Sequence, residues 1–282
     1  MALSSIWMGS ILAGMHQVFR WEVLLLASLT TIFLQILSNL ANDYGDSVHG
    51  ADSTERKGPI RAVQSGVISL AEMKKGMILF GLLSLASGIA LILLSLQDPK
   101  LLLLFLGLGI LAIIAAITYT SGKNPYGYLG LGDISVFLFF GLLGVMGTFF
   151  LHSLEVKSTI WLPAISLGLF STAVLNINNI RDIDSDTKAG KKSIPVRIGR
   201  EHAVVYNWSL ILLGNISLVI FAISTQNWGT LLALAILPLM IKIGKGVSQG
   251  KEAVEIDPYL KKMAISTLLW VVLFGLGWGF FG

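Results

Sequence analysis

The chain contains no cysteine. Disulfides, thiolate metal sites, iron–sulfur clusters and a cysteine nucleophile are thereby excluded. Histidine is almost as scarce. His16, His49, His152 and His202 are the four present, and none is spaced as a zinc pair. A metal in this protein would be held by oxygen, which favours Mg²⁺ or Mn²⁺ over zinc or copper. Charge is also short: Asp, Glu, Lys and Arg make up 13% of the residues, where soluble domains carry about 25%.

Apolar residues fill the space that charge leaves, at 54% of the chain with a mean hydropathy of +0.78. Long continuous apolar runs exclude a closed β-barrel, which needs short alternating strands. The class is all-α, a polytopic membrane protein. The runs fall at 2–19, 21–41, 75–97, 100–120, 132–152, 158–177, 203–224, 228–243 and 263–282, which predicts nine transmembrane helices. Most are long enough to cross about 30 Å of hydrocarbon. No linker or low-complexity segment divides the chain, so residues 1–282 read as one domain.

Basic residues set the orientation. The loops after the second, fourth, sixth and eighth runs, with their flanks, hold 17 of the 20 Lys and Arg. The alternate loops hold only Arg20, Lys100 and Lys157. This bias predicts an N-terminus inside, a C-terminus outside and a multi-pass protein of the bacterial cytoplasmic (inner) membrane. The formal charge of +4 is read as a basic cytoplasmic face, with no nucleic acid as partner. No basic n-region precedes the first run, so no cleavable signal peptide is expected.

Against this apolar background stand two acidic clusters. The first is Asn39-Leu40-Ala41-Asn42-Asp43-Tyr44-Gly45-Asp46, with Asp52 following; the second is Asn178-Asn179-Ile180-Arg181-Asp182-Ile183-Asp184-Ser185-Asp186. Carboxylates at the end of a membrane helix are costly unless paired, metal-bound or wet. Asn42 and Asp46 are four residues apart, as are Asp182 and Asp186, so on a helix each pair shares one face. Such a pair ligates one Mg²⁺, which takes one or two carboxylates and completes its shell with water and substrate phosphate. Asp43 and Asp52 are further metal candidates. Each cluster is followed by cations suited to the outer oxygens of a diphosphate: Arg61 after the first, Lys188 and Lys192 after the second, with Lys191 as the rival of Lys192. A third short loop supplies Tyr119 and Lys123. Two bland readings compete. A self-paired solvated face is disfavoured by the repeat of the spacing on one membrane side. A cation pathway is disfavoured because transporter carboxylates lie near the midplane, whereas these lie at span ends.

Three stretches carry a family resemblance: NLANDYGDSVHGADSTERKGPIRAVQSG at 39–66, YTSGKNPYGYLGLGDISVFLFFGLLGVMG at 119–147 and NNIRDIDSDTKAGKKSIPVRIG at 178–199. They resemble the UbiA superfamily of intramembrane aromatic prenyltransferases, and most closely its menaquinone-pathway branch. The resemblance implies nine helices around a central cavity with the aspartate motifs on cytoplasmic loops. It implies Mg²⁺-dependent transfer of a polyprenyl group from polyprenyl diphosphate to 1,4-dihydroxy-2-naphthoate, with decarboxylation, giving demethylmenaquinone. Asn42 and Asp46 match the family's first motif, Asp182 and Asp186 its second, and Tyr119 and Lys123 its Tyr and Lys after the fourth helix. Asp46, Asp182, Asp186 and Tyr119 are the expected catalytic set. Where relatives carry a further Asp four residues after Asp46, this chain has Gly50, and Asp52 follows two later. Relatives also open with a Trp- and Arg-containing segment, whereas this chain starts at Met1-Ala2-Leu3-Ser4 inside an apolar run.

The metal and the cations neutralise the departing diphosphate, and apolar walls shield the allylic cation from water. Phe137, Phe139, Phe140, Phe149 and Phe150 offer π faces to such a cation, with packing and lipid contact as the plainer use. His49 reads as a surface residue. The other readings are a 4-hydroxybenzoate or other aromatic acceptor and, outside enzymes, a cation or lipid-head-group transporter.

Overall fold

A chain immersed in hydrocarbon satisfies its backbone polar groups internally, and continuous helices do so locally. The computed structural model describes residues 1–48 and 68–281. Helix is the dominant structure of these residues, and no strand occurs among them. Eight helical segments are long and apolar enough to cross a membrane: Trp21–Val48, Leu70–Ser95, Pro99–Thr118, Gly132–Ser153, Ser158–Arg181, Ile194–Thr225, Trp228–Gln249 and Ala253–Phe281. A shorter apolar helix, Ala2–Met15, precedes them. The nine expected runs thus appear as eight candidate spans and one shorter helix. Elements are named here as α1 (Ala2–Met15), α2 (Trp21–Val48), α3 (Leu70–Ser95), α4 (Pro99–Thr118), α5 (Gly132–Val136), α6 (Gly147–Ser153), α7 (Trp161–Arg181), α8 (Ile183–Lys188), α9 (Ile194–Thr225), α10 (Leu237–Gln249) and α11 (Ala253–Phe281).

Several bounds differ from the apolar runs for physical reasons. The first helix stops at Met15 rather than residue 19, because the chain reverses over residues 16–20, with Gln17 at φ +60°. His152 fixes that turn: its Nδ1 accepts the Arg20 backbone N–H at 3.0 Å, and its Nε2 lies 3.0 Å from the Ser10 hydroxyl. The α3 and α11 helices begin five and ten residues before their apolar runs because backbone bonding continues beyond the hydrocarbon, whereas α9 starts with a separate helical turn that ends in a kink at Gly199 (φ +78°, ψ 162°). Ser69 and Glu72 close a reciprocal capping box at the start of α3. Pro238, at the first turn of α10, divides the span Trp228–Gln249 into a 3₁₀ stretch (Trp228–Ile236) and an α-helix. The span Gly132–Ser153 joins α5 to α6 through a π-helical stretch, Phe137–Met146, and π geometry concentrates at functional positions.

The packing is asymmetric. Buried Leu167, Phe170, Ala173 and Ile177 run along α7, and Phe170 meets Trp270 of α11 edge-on at 5.3 Å. Small residues let the π stretch approach α7. A Cβ on Gly141 would lie 2.6 Å from the Cα of Gly168, the close backbone approach typical of membrane interfaces. By contrast α4 has no buried residue. α1 packs on the π stretch, where the Ser5 hydroxyl bonds to the Phe140 carbonyl, whereas between α2, α3, α4 and that stretch lies a cavity of about 400 Å³. Leu34, Leu85, Phe105, Ile113, Phe140 and Leu143 are among its apolar walls, and Asn42 and Tyr119 also line it.

Candidate active site

The end of α2 meets the loop after α4 through a glycine. A Cβ on Gly45 would sit 2.4 Å from the Thr120 carbonyl oxygen, so only glycine permits this approach. The Thr120 hydroxyl reaches the Ala41 carbonyl at 3.0 Å and Asn42 Oδ1 at 3.2 Å. This contact turns Asp46, 3% exposed, toward the second cluster. Residues 119–132 wrap the other side. Gly127 donates to the Tyr119 carbonyl at 2.9 Å, and the Tyr119 hydroxyl lies against Gly132, where a Cβ would come within 2.8 Å. Gly130 adopts φ +78° and brings the loop onto Lys192 and Arg197.

The two acidic clusters meet at one ammonium group. Lys191 Nζ lies 3.5 Å from Asp46 Oδ1 and 3.3 Å from Asp186 Oδ1. The Tyr128 hydroxyl donates to Asp46 Oδ1 at 2.9 Å, and the same ammonium lies 4.9 Å from the Tyr128 ring centroid. Burial pushes the Asp186 carboxyl up to about 6; Asp182 and Asp46 add to the rise, and Lys191 opposes it. Two buried carboxylates from opposite halves therefore need a cation between them. Asp182 is paired differently: Arg181 grips it through Nε–Oδ1 at 2.8 Å and Nη2–Oδ2 at 2.7 Å. The same guanidinium reaches Asp257 at 2.6 Å and Asn178 at 2.8 Å, which ties α7 to α11.

The donor set fits Mg²⁺. Asn42, Asp46 and Asp186 offer oxygen only, and an ammonium already occupies a cation's place between the carboxylates. Among the described residues no group of three His, Cys, Asp or Glu is placed to hold a metal ion, and Mg²⁺ takes one or two carboxylates and leaves positions for water and phosphate.

Other residues singled out from the sequence fall as follows. Tyr119 stands at the cavity's polar end, edge-on to Tyr126 at 5.3 Å. Burial, with Tyr126, Asp133, Asp186 and Asp46 nearby, pushes its phenol well above the ordinary value. It therefore remains a neutral hydrogen-bond donor. Asp43 is half-buried. Lys123, Lys188 and Lys192 are exposed, and the Lys192 backbone N–H donates to Tyr128. The side chain between the clusters is Lys191, not Lys192. Asp52, Arg61 and His49 lie outside the described residues. Phe139 and Phe140 line the cavity, whereas Phe149 is 1% exposed in the core.

Sequence reasoning did not single out Asp133, Tyr206 or Tyr128. Asp133 is 7% exposed; Tyr206 hydrogen-bonds its carboxylate, and Oδ1 has no partner. Together with Asp186, Lys191, Asn179 and Ser193 it borders a polar pocket of about 20 Å³, room for one water. Its signal was a lone carboxylate at the mouth of an apolar run.

Apolar spans around a cavity, with a buried carboxylate pair beside a small polar pocket that shares Tyr119 with it, define an intramembrane protein with a polar site next to an apolar chamber. The UbiA prenyltransferase family pattern matches residues 2–268. The chain belongs to the UbiA prenyltransferase family. It is 47% identical over 280 residues to the 1,4-dihydroxy-2-naphthoate octaprenyltransferase of Haemophilus influenzae, covering 98% of this chain and 91% of that one. Its identity to the enzyme of the same name from Escherichia coli is 44% over 279 residues, covering 98% and 90%. In fold it is similar to a UbiA homologue from Archaeoglobus fulgidus solved with DMAPP and Mg²⁺ (TM-score 0.62, 19% identity, 99% and 96% covered).

Proposed function

We propose that this chain transfers a polyprenyl group from polyprenyl diphosphate to 1,4-dihydroxy-2-naphthoate, with loss of carbon dioxide, in menaquinone biosynthesis. The acceptor is supported by the two relatives of that name at 47% and 44% identity over nearly the whole chain. The chemistry is supported by one observation above the others: Lys191 bridging Asp46 and Asp186, beside a small polar pocket that shares Tyr119 with the apolar cavity.

In this reading Asn42, Asp46 and Asp186 hold Mg²⁺, with Asp182, whose carboxylate must first part from Arg181, and Asp43 and Asp52 as further candidates. The metal, when bound, supplies Lewis-acid neutralisation of diphosphate oxygens. Lys191, displaced from the carboxylates, turns its ammonium to the diphosphate, with Arg61, Lys123, Lys188 and Lys192 as the surrounding cationic candidates. The allylic C–O bond breaks and its electron pair leaves with diphosphate. The acceptor ring attacks at the carbon bearing its carboxylate, and carbon dioxide departs. The product is the reduced form of demethylmenaquinone. Tyr119, kept protonated, orients the reacting region by hydrogen bond or ring face. The cavity walls exclude water from the cation. The basic-loop bias supports placing this site on the cytoplasmic side of the inner membrane, with the N-terminus inside.

A side-by-side acceptor assay tests this reading. With Mg²⁺, purified protein should release carbon dioxide from carboxyl-labelled 1,4-dihydroxy-2-naphthoate and diphosphate from farnesyl diphosphate, one-to-one. Turnover with 4-hydroxybenzoate should be at least 100-fold lower. Equal or faster use of 4-hydroxybenzoate would overturn the proposed acceptor.

A further inference from the structure

The cavity that accepts a hydrocarbon tail has one wall that is not hydrocarbon-like. Along α2, Thr31, Gln35, Ser38, Asn39 and Asn42 all line it, at helical spacings that put them on one face. Some neighbouring polar groups are already used. The Thr30 hydroxyl bonds to the Leu26 carbonyl and to Ser87, and Asn42 accepts from Thr120. Gln35 gives one N–H to Asn39 Oδ1 at 3.2 Å. Its carbonyl and second N–H, and the Ser38 and Thr31 hydroxyls, bond to no other described group. Gln35 is half-buried on this wall, so its amide is within reach of a bound ligand, and a prenyl tail has nothing to offer it.

We propose that this stripe is the binding subsite for the aromatic acceptor, with Gln35 as its specificity-determining residue. The inference rests on the proposed reaction and adds the place where its second substrate lies. Position supports it. The stripe starts one turn below Asp46, next to where a cation-held diphosphate puts its first carbon, and the acceptor must come within about 3.5 Å of that carbon. From Asn42 to Gln35 is seven residues, a rise of about 10 Å, which suits a bicyclic aromatic acid lying along the helix. Chemistry supports it too. An amide both donates and accepts, so Gln35 can give its free N–H to a carboxylate or phenolate oxygen and take a hydroxyl proton on its carbonyl. The edge-on rings of Tyr119 and Tyr126 line the same cavity, and Thr120, next to Tyr119, bonds to Asn42 at the end of the stripe. The Tyr126 hydroxyl is committed to the Ala115 carbonyl at 3.0 Å and to Ser135 at 3.1 Å, which leaves its ring face for stacking.

The test uses the full-length protein in lipid nanodiscs, with two variants, Gln35→Met and Ser38→Ala, both compatible with a membrane helix. The acceptor KM is measured at saturating farnesyl diphosphate and Mg²⁺. Donor affinity is measured separately by equilibrium binding of Mg²⁺ and farnesyl thiodiphosphate, which does not depend on turnover. Gln35→Met should raise the acceptor KM at least tenfold, and Ser38→Ala severalfold, with donor affinity within twofold of wild type. An unchanged acceptor KM in both variants would overturn the subsite, as would donor binding that weakens in parallel. If wild type uses 4-hydroxybenzoate instead of the naphthoate, the acceptor proposed above fails, and the stripe is judged by the same shift in the KM for that acceptor.

Discussion

Asp46→Ala is expected to lower kcat/KM for prenyl transfer by about three orders of magnitude. Charge neutralisation of a departing phosphate oxygen is worth several kcal/mol, and each 1.4 kcal/mol is a factor of about ten in rate. Asp46 is the group most exposed to that arithmetic. It is buried, receives the Tyr128 hydroxyl and faces Asp186 across a single ammonium. Removing its charge leaves Lys191 with one carboxylate and leaves the first cluster without its innermost ligand. Asp186→Ala should cost about as much. Because the two carboxylates hold one cation, the double variant should lose little beyond the worse single one. Steady-state kinetics of the three variants, with helix content and thermal stability checked on each, decides this. Additive losses would mean that Asp46 and Asp186 act independently.

Gly45→Val should be the second most damaging change, though it removes no functional group. The added Cβ would meet the Thr120 carbonyl oxygen at 2.4 Å and its hydroxyl at 2.7 Å. These are backbone and short side-chain atoms with no room to swing aside, so the end of α2 must move away from the loop. Asp46 is the next residue. A displacement of about 1 Å at a reacting centre costs on the order of 10²-fold in rate, and that loss is expected in kcat/KM with little change in helix content by circular dichroism. Gly107, with nothing within 4 Å of its added Cβ, is the matched control: Gly107→Val should keep near-wild-type activity.

Much of this architecture was legible in the chain. The apolar runs located the spans, because hydrocarbon thickness dictates their length whatever the packing. Asn42, Asp46, Asp182 and Asp186 stood out because carboxylates and amides are rare in such runs. Three features were less legible. The choice between Lys191 and Lys192 turns on the loop at Gly190, where φ is +72°, and one residue of register reverses which side chain faces inward. Asp133 gave only a lone carboxylate, and its pairing with Tyr206, 73 positions away, is a product of tertiary packing. The π-helical stretch has no simple periodicity to announce it. Its close approach to α7 depends on Gly141 meeting Gly168, a match between two distant segments.

The central claim is that Asp46 and Asp186 together hold a cation that carries the diphosphate. It is tested most directly by following diphosphate release from farnesyl diphosphate and 1,4-dihydroxy-2-naphthoate while Mg²⁺ is withdrawn by excess chelator and then restored. The account predicts that product formation and diphosphate release stop together in chelator and return together with Mg²⁺, and that Asp46→Ala needs at least tenfold more Mg²⁺ for half-maximal rate. Full turnover in excess chelator, or an unchanged Mg²⁺ requirement in Asp46→Ala, would contradict it.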